Sequence, residues 1–489
     1  MKGKKIVSTL LALLLLASLP VSAHAATWDI GKGDITVNAE SGGQTVRQGG
    51  GAAVPDSAPV ITGTSKENNV TINADSGQTA SVTLSGVNID VRDKGKAAVS
   101  TTGEGNVSIE LNGGSTLRSG YEHAGLEKNN GGSLTIADED KNGKLTAWGG
   151  QQGAGIGGGS GKDGSNIFIT GGGVNAIGGL AASGIGGGLG GNGSNITISG
   201  GKVGATNGLN GAGIGGGQHG SGSNITISGG EVNAIGGNSG AGIGGGHTGD
   251  GSDIIISGGE VSASGGVNGA GIGGGLRSKG KDITVSGDTK LKVQGGDEDH
   301  YDGAGAGIGD GGSNAYGTKI LGAEVEPDTS GLTTNGSIAY YAPGADMEND
   351  KPTSITFGTS SQPEKPIEPA VPEQPEAERG MDAPLYRVTD KDGRDIAYTA
   401  EQKGGVLTVT VDEDLAILTG KLSGIRTLKA QGVEKIVFVT KGAASAFLLS
   451  DLLGKGESGE AYRLTHDGKS VTFTLGEKMT DVSAVLTKP

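Results

Sequence analysis

One seven-residue sequence, Gly-Ala-Gly-Ile-Gly-Gly-Gly, returns with small changes along the chain and constrains the fold more than any other feature. Its central isoleucine recurs every 29 residues. A fixed period of this length is typical of a solenoid, in which each repeat forms one coil stacked on the next. We therefore expect the recurring isoleucines to be core residues: Ile156, Ile185, Ile214, Ile243 and Ile272.

Each repeat also carries two short segments in which apolar residues alternate with polar or small ones. Ile225 and Ile227 flank a threonine, and Val232 and Ala234 flank an asparagine. This period of two predicts strands with one buried face. Gly, Ser and Asn between the segments favour tight turns. The sequence therefore predicts an all-β parallel β-helix, with three short strands in each coil of 29 residues.

Composition divides the chain into predicted segments. Residues 26–350 are expected to form the β-helix, which is most regular at about 150–290. Residues 351–382 are rich in Pro and Glu and predict an extended linker. Residues 383–489 have ordinary glycine content and stronger hydrophobic runs, which predict a small α+β domain. Within this domain we expect a helix at 443–453.

The first 25 residues are typical of a secretory signal peptide. Lys2, Lys4 and Lys5 precede the apolar run Ile6–Leu19, and Ala23-His24-Ala25 resembles a cleavage site. We therefore expect a secreted or cell-surface protein without a transmembrane span in its mature chain. The sequence has no cysteine, so disulfides do not stabilise it. A net charge of −15 argues against a nucleic-acid partner.

The repeated glycines formally match the G-x-G-x-x-G pattern of dinucleotide-binding loops. That pattern needs a helix after the glycines, and the repeat offers no helical period. We interpret the glycines instead as a tight backbone element with a face poor in side chains.

Acidic residues at three places are candidate Ca²⁺ ligands: a predicted corner ladder, the run Asp138-Glu139-Asp140, and an insertion late in the β-helix. Asn166, Asn195 and Asn224 predict a ladder of stacked amides, and Asp253 and Asp282 continue the same register. Two carboxylates one coil apart repel each other unless a cation or solvent intervenes.

Another acidic group lies in the insertion late in the β-helix. Calcium needs six to eight converging oxygen atoms, so a run of consecutive acids is more typical of a solvated loop. The candidate ligands in this insertion are Asp297, Asp299 and Asp302.

Aromatic residues lie outside the most regular coils. Such rings either cap the ends of the solenoid core or stack on sugar rings. The candidates for ligand contact are Tyr121, Trp148, Tyr301 and Tyr316. No catalytic cluster is evident in the regular coils, where Lys202, Glu231 and Glu260 share a register and predict a solvated stripe.

The repeats resemble those of secreted Gram-positive carbohydrate-binding domain-containing proteins. The resemblance rests on GAGIGGG, SNITISGG and EVNAIGG, together with the preceding region from Gly105 to Ile136, and extends over about residues 28–350. It implies a right-handed parallel β-helix related in shape to pectate lyases. It further implies binding of acidic plant sugars or cellulose, sometimes with Ca²⁺, without established catalysis.

Together these patterns predict a secreted polysaccharide-binding or adhesin-like protein whose partner is an extracellular polysaccharide, with acidic polysaccharides among the candidates. Catalysis is not expected. Two alternatives stay open: a lyase or hydrolase acting on acidic plant or cell-wall glycans, and a structural spacer in the cell envelope.

Overall fold

A computed structural model describes residues 25–315 and 318–358, and residues 386–487 apart from short gaps. The chain divides into two compact units, residues 1–360 and 361–489. The predicted signal peptide, except its last residue, lies outside the described residues, as does most of the predicted linker.

The first unit confirms the predicted all-β parallel β-helix. Three long sheets run along it, and each coil contributes one strand to each sheet. Sheet A comprises Thr27–Asp29, Val60–Thr62, Thr79–Ser85, Asn106–Asn112, Leu134–Ala137, Gly164–Ile169, Gly193–Ile198, Gly222–Ile227, Gly251–Ile256 and Gly280–Val285. Its neighbouring strands are parallel throughout.

Sheet B contains the strands built on the repeated isoleucines. Its parallel strands are Ile35–Glu40, Val70–Ala74, Val99–Thr102, Leu126–Lys128, Ile156–Gly157, Ile185–Gly186, Ile214–Gly215, Ile243–Gly244, Ile272–Gly273 and Ile308–Gly309. At its amino-terminal edge two antiparallel strands, Gly43–Gln48 and Val54–Pro55, complete the sheet.

Sheet C forms the third side. Its strands are Thr64–Ser65, Asn88–Asp90, Gly114–Arg118, Lys144–Trp148, Gly173–Ile177, Lys202–Thr206, Glu231–Ile235, Glu260–Ser264, Lys290–Gln294, Ser337–Tyr341 and Ser354–Phe357. The last strand runs antiparallel to its neighbour, so residues 354–357 of the predicted linker belong to this sheet. Two 3-10 turns, Ile30–Lys32 and Arg92–Lys94, and a hairpin of Ser313–Ala315 with Thr318–Ile320 lie outside the three sheets.

The core is a stack of identical layers. Ile225 and Ile227 are fully buried, whereas Thr226 between them points outward. Each isoleucine pairs with its equivalent in the next coil, as Ile225 does with Ile254. The five repeated isoleucines of sheet B are also fully buried and pair in register. One buried face on each side thus produces a single apolar core.

The repeated glycines form a tight backbone element with a face poor in side chains, and that face is covered. They are buried, because the two turns that flank each short sheet B strand fold over its outer side. The turn that follows the sheet B strand of one coil donates a hydrogen bond to the turn that precedes the sheet B strand of the previous coil. Gln218 N, for example, donates to Ala181 O at 2.9 Å. Gly215 has a φ of +132°, and a Cβ there would lie 2.0 Å from the carbonyl oxygen of Gly244. Only glycine fits this covered strand.

This geometry makes Gly215→Ala strongly destabilising. We expect a loss of about 2–4 kcal/mol in the free energy of unfolding, from backbone strain and overpacking together. Urea unfolding of the full chain, followed by circular dichroism, measures it. Gly204→Ala is the matched control, because a Cβ there meets only the end of the Asn175 side chain, at 3.1 Å. Equal effects of the two substitutions would contradict the covered-strand geometry.

The second unit is mainly β. One five-stranded sheet comprises Arg387–Thr389, Leu415–Lys421, Ala461–Asp467, Val471–Leu475 and Thr480–Asp481. The other comprises Tyr398–Lys403, Val406–Val411, Lys435–Val439, Ala444–Leu448 and Leu486–Thr487. The helices are Leu422–Ala430 and Leu449–Leu453.

The helix predicted at 443–453 is therefore wrong over its first half. Ala444–Leu448 forms a strand that pairs antiparallel with Lys435–Val439, and only Leu449–Leu453 is helical. Short apolar runs fit both periods, and pairing with an adjacent strand decides the outcome here. Neither of these two helices, the only α-helices in the described part of the chain, has the length and apolarity to cross a membrane.

Candidate functional site

The outer face of sheet B changes along the solenoid. In the first three coils the strands are four to six residues long and no turns fold over them. Hydroxyl and amide side chains stand there in two columns, half-exposed and in register. We call this surface the polar shelf, formed by Thr36, Thr71, Ser100, Asn38, Asn73 and Thr102.

The polar shelf ends where the covered glycine strands begin. Glu127 continues the first column, opposite Ser100 on one side and Gly157 on the other. Glu127 and Lys128 thus occupy positions that are glycine in the later coils. The turn of the next coil then crosses above them, because Ser160 N donates to Glu122 O at 2.7 Å.

A cleft of about 530 Å³ opens at this step. Its lining residues are polar apart from one glycine, and they combine both signs of charge. The lining residues are Glu122, His123, Glu127, Lys128, Asn129, Asn130, Gly159, Ser160, Lys162, Asp163 and Ser165. We call it the step cleft.

Glu127 is held rigidly in the step cleft. One carboxylate oxygen lies 2.8 Å from His123 Nδ1 and accepts the backbone N–H of Ala124 at 3.0 Å, and the other accepts Asn129 Nδ2 at 2.8 Å. The residue is only 6 % exposed. Three donors fix the carboxylate, so it orients the His123 ring, whose side chain is one-third exposed.

Lys128 is the unusual charge in the cleft. It is 5 % exposed, and its Nζ donates to the carbonyl of Asn130 at 2.6 Å. Among the residues that the structure describes, none provides a carboxylate within ion-pairing distance of this ammonium group. Burial lowers the pKa of Lys128 to about 8. A buried cation without a counter-charge is costly, and such groups cluster at functional sites.

Two aromatic residues singled out by the sequence lie beside the step cleft. Tyr121 is exposed, and its hydroxyl accepts Gln152 Nε2 at 3.0 Å, while Gln152 in turn accepts the hydroxyl of Ser160 in the lining. Trp148 is partly buried, with the guanidinium of Arg118 4.1 Å from its ring centroid. The structure thus brings both rings to the coils that form the cleft.

The other two aromatic candidates are not brought to this place. Tyr301 is exposed in the late insertion, against the ring of His300. Tyr316 lies outside the described residues. Trp28 and Tyr340 instead pack on the solenoid core.

Asp253 and Asp282 occupy the predicted corner on adjacent coils. Their φ values of +55° and +54° match those of the asparagines before them, which explains why Asn and Asp are favoured there. The ladder is present between Asn195 Nδ2 and Asn166 Oδ1, at 3.1 Å. In the described part of the chain, no third carboxylate or imidazole converges with the two aspartates.

The acids of the late insertion organise their own loop. Asp302 is buried in an ion pair with Arg277 at 3.0 Å. Asp299 accepts the backbone amides of Asp302 and Tyr301, and these bonds lower its pKa. Asp297 caps the amide of Glu298. The three carboxylates therefore have separate partners and do not converge as calcium ligands.

A different group of carboxylates does converge, on an earlier coil. One oxygen each from Glu110, Asp138 and Asp140 lies within 4.8 Å of the others. These side chains already accept backbone amides, including those of Asn142 and Gly143. Hydrogen bonds from the loop account for this cluster without an ion.

The sequence reasoning missed Glu127 and Lys128. The usable signal was present in the repeat itself, because the coil containing Leu126 has Glu and Lys where later coils have two glycines. A departure from a repeat is informative when it places charge at a position that is buried in every equivalent coil.

Burial of Lys128 should reduce the stability of the β-helix. We expect Lys128→Met to raise the free energy of unfolding by about 1–3 kcal/mol at pH 7. The folded state binds fewer protons than the unfolded state between about pH 8 and the ordinary lysine pKa of about 10.5, so wild-type stability rises across that window. The stability advantage of Lys128→Met over the wild type should therefore vanish above about pH 10.5.

Denaturant unfolding at several pH values tests this expectation. Lys144→Met, at an exposed position of sheet C, is the control and should change stability little. An advantage of Lys128→Met that does not depend on pH would argue against the depressed pKa.

Comparison with known proteins supports the fold of the first unit. A family described as "Beta helix repeat" matches residues 141–160, 196–218, 225–247 and 254–276. No curated protein and no solved structure shows significant similarity to the chain. The matched segments lie within the β-helix and include Gly159 and Ser160 of the step cleft, whereas Glu127 and Lys128 lie before the first of them. The chain is therefore similar to β-helix repeats mainly in its regular coils.

Proposed function

We propose that this protein is secreted and binds an extracellular polysaccharide, with the step cleft as its main site and the polar shelf as the approach to it. The observation that carries the proposal is the replacement of two glycine positions by Glu127 and Lys128, both buried and both lining the cleft. An adhesin-like role at a cell surface would use the same binding.

The chemistry of the site suits a sugar chain. Sugars present many hydroxyl groups, which pair with hydroxyl, amide and carboxylate side chains, and the polar shelf and step cleft supply all three. Tyr121 adds an exposed ring beside the cleft, and aromatic rings pack on the apolar faces of sugars. The polar shelf and Glu127 together extend about 14 Å over three coil steps, which suits a polymer better than a single small molecule.

Lys128 favours an acidic sugar. Its ammonium group is uncompensated within the protein, so a uronate carboxylate would supply the missing counter-charge. The protonated form predominates below about pH 8, where binding of an acid should be strongest. The preference is therefore expected to depend on pH.

We expect the full chain to bind polygalacturonate and Lys128→Met to bind it at least about tenfold more weakly, a loss of about 1.4 kcal/mol. Wild-type affinity should decline about tenfold between pH 7 and pH 9, as the amine loses its proton. Isothermal titration calorimetry measures both effects. Lys144→Met removes an equal charge from exposed sheet C and should bind as wild type. Binding that is equally strong in all three proteins would place the site elsewhere.

A second function is favoured by the same lysine. A pKa near 8 leaves part of the Lys128 amine neutral at neutral pH, as a general base requires. In a lyase, this amine would take the proton from the carbon beside the uronate carboxylate. A carbon–carbon double bond would form as the glycosidic carbon–oxygen bond breaks, and the departing oxygen would take a proton from solvent.

Ultraviolet absorbance distinguishes the two functions, because elimination creates an unsaturated product that binding alone does not. A lyase predicts absorbance that grows during incubation with polygalacturonate and is lost in Lys128→Met. Retention of the polymer without any absorbance change over a long incubation would exclude this second function.

A further inference from the structure

We infer that the glycan continues from the step cleft along one corner of the solenoid, where a line of exposed and partly exposed apolar side chains offers at least one contact per coil. This inference rests on the proposed function and specifies how the ligand extends. The corner is the turn between each sheet C strand and the next sheet B strand. The side chains that form this line, which we call the corner ridge, are Tyr121, Trp148, Ile177, Leu180, Leu209, Ile235 and Val267.

Exposure is concentrated at this corner. Between residues 121 and 290, five large apolar side chains are exposed, and all five belong to the corner ridge: Tyr121 (51 %), Leu180 (47 %), Leu209 (41 %), Ile235 (39 %) and Val267 (36 %). The rest of the outer surface of these coils is mainly Gly, Ala, Ser, Thr, Asn and charged residues. Exposed apolar groups that gather along one line mark an interaction surface.

Two positions in each coil supply the ridge, and where one of them is polar the other carries a large apolar side chain. One lies at the end of the sheet C strand and the other lies three residues later in the turn. Where the turn residue is Asn238, the strand ends on Ile235. Where the strand ends on Thr206, the turn residue is Leu209.

The same exchange operates in two other coils. The coil with Gln151 in its turn has Trp148 at the end of its strand, and the coil with Ser264 at the end of its strand has Val267 in its turn. Every coil from Tyr121 to Val267 therefore carries at least one large apolar side chain at this corner, which is exposed in five of the six coils and partly buried in the coil of Trp148. The apolar character of this corner is preserved although the residues that produce it change. The core does not explain this, because the core side chains point to the inside of the solenoid.

Backbone bonds keep the ridge straight. Gln152 N donates to Tyr121 O, Asn210 N to Leu180 O and Ser239 N to Leu209 O, so successive turns stack directly. The rise between coils is about 4.8 Å, which gives the ridge a length of about 24 Å over five steps. An extended glycan presents a ring at a comparable repeat, and each ring has an apolar face for packing.

The width of the ridge identifies the kind of partner. One of the two ridge positions is polar in several coils, as at Thr206, Asn238 and Ser264, so the apolar surface there is only about one side chain wide. A stable protein interface needs about 800 Å² on each partner with a contiguous core, and a membrane-bound surface needs a broad apolar face. A single chain of sugar rings fits a narrow apolar line bordered by hydrogen-bonding groups.

The ridge is also continuous with the step cleft. Tyr121 is its first member, and the next two residues, Glu122 and His123, line the cleft. A chain bound in the cleft can therefore pass directly onto the ridge. Short oligosaccharides would occupy the cleft alone, whereas long ones would reach the ridge.

A length series of oligosaccharides tests this inference in the full chain. The probes are oligogalacturonides and cello-oligosaccharides, from dimers to octamers, titrated by calorimetry. The ridge variant combines Leu180→Asn, Leu209→Asn, Ile235→Thr and Val267→Asn, which are residues that the repeat already uses at these positions in other coils. The control combines Phe168→Thr and Ile255→Thr on sheet A, in register with Thr197 and Thr226.

We expect wild-type affinity to rise with chain length in at least one probe series. The ridge variant should bind the shortest binding probe as wild type does and the octamer at least about tenfold more weakly, which corresponds to about 1.4 kcal/mol. The sheet A control should retain the full length dependence. This pattern would support the ridge as the continuation of the site.

Other outcomes overturn the inference in distinguishable ways. Wild-type length dependence in the ridge variant, or an equal loss for short and long probes, would reject the ridge and leave binding at the step cleft in place. A wild-type protein that binds neither series at any length would reject the proposed function and the ridge together. Thermal melting of each variant verifies that the fold is intact.

Discussion

Hydrogen bonding between equivalent strands of successive coils is the interaction on which the first unit depends. Because every coil repeats its strands at the same spacing, each residue meets its own equivalent in the next coil, as Ile214 meets Ile243. This register turns one buried isoleucine into an apolar column and one outward threonine into a polar column. A residue type at one position therefore decides the character of a whole line along the solenoid.

The covered glycine strands follow from the same register. Two turns can fold over a sheet B strand only if that strand has no side chains on its outer face, and Gly215 and its equivalents satisfy this in each later coil. The first coils lack these glycines and leave sheet B open. The step cleft forms at the boundary between the two arrangements, and Glu127 and Lys128 lie at that boundary. The proposed binding site therefore lies where the sheet B strands change from open to covered.

Much of the first unit is predictable because its sequence repeats. The period alone places Ile156 and its equivalents in the core, and the alternation around Ile225 predicts which side chains point outward. The covering of the glycines is not predictable from composition, since it depends on bonds between turns of different coils. The partners of the acids in the late insertion were not predictable from charge either, since Asp302 forms an ion pair with Arg277 and Asp299 accepts backbone amides. Residues 444–448 lie outside the repeats, and there a short apolar run does not distinguish a helix from a strand.

Both ends of the solenoid reverse the direction of a strand. Gly43–Gln48 runs against the parallel strands of sheet B, and Ser354–Phe357 runs against those of sheet C. A parallel edge is the surface that one coil offers to the next, so an uncapped solenoid would present a template for another molecule of itself. An antiparallel edge strand offers a different hydrogen-bond pattern and ends that template on its sheet. Strand reversal therefore removes the parallel template from one of the three sheets at each end, which works against the addition of a coil from another molecule.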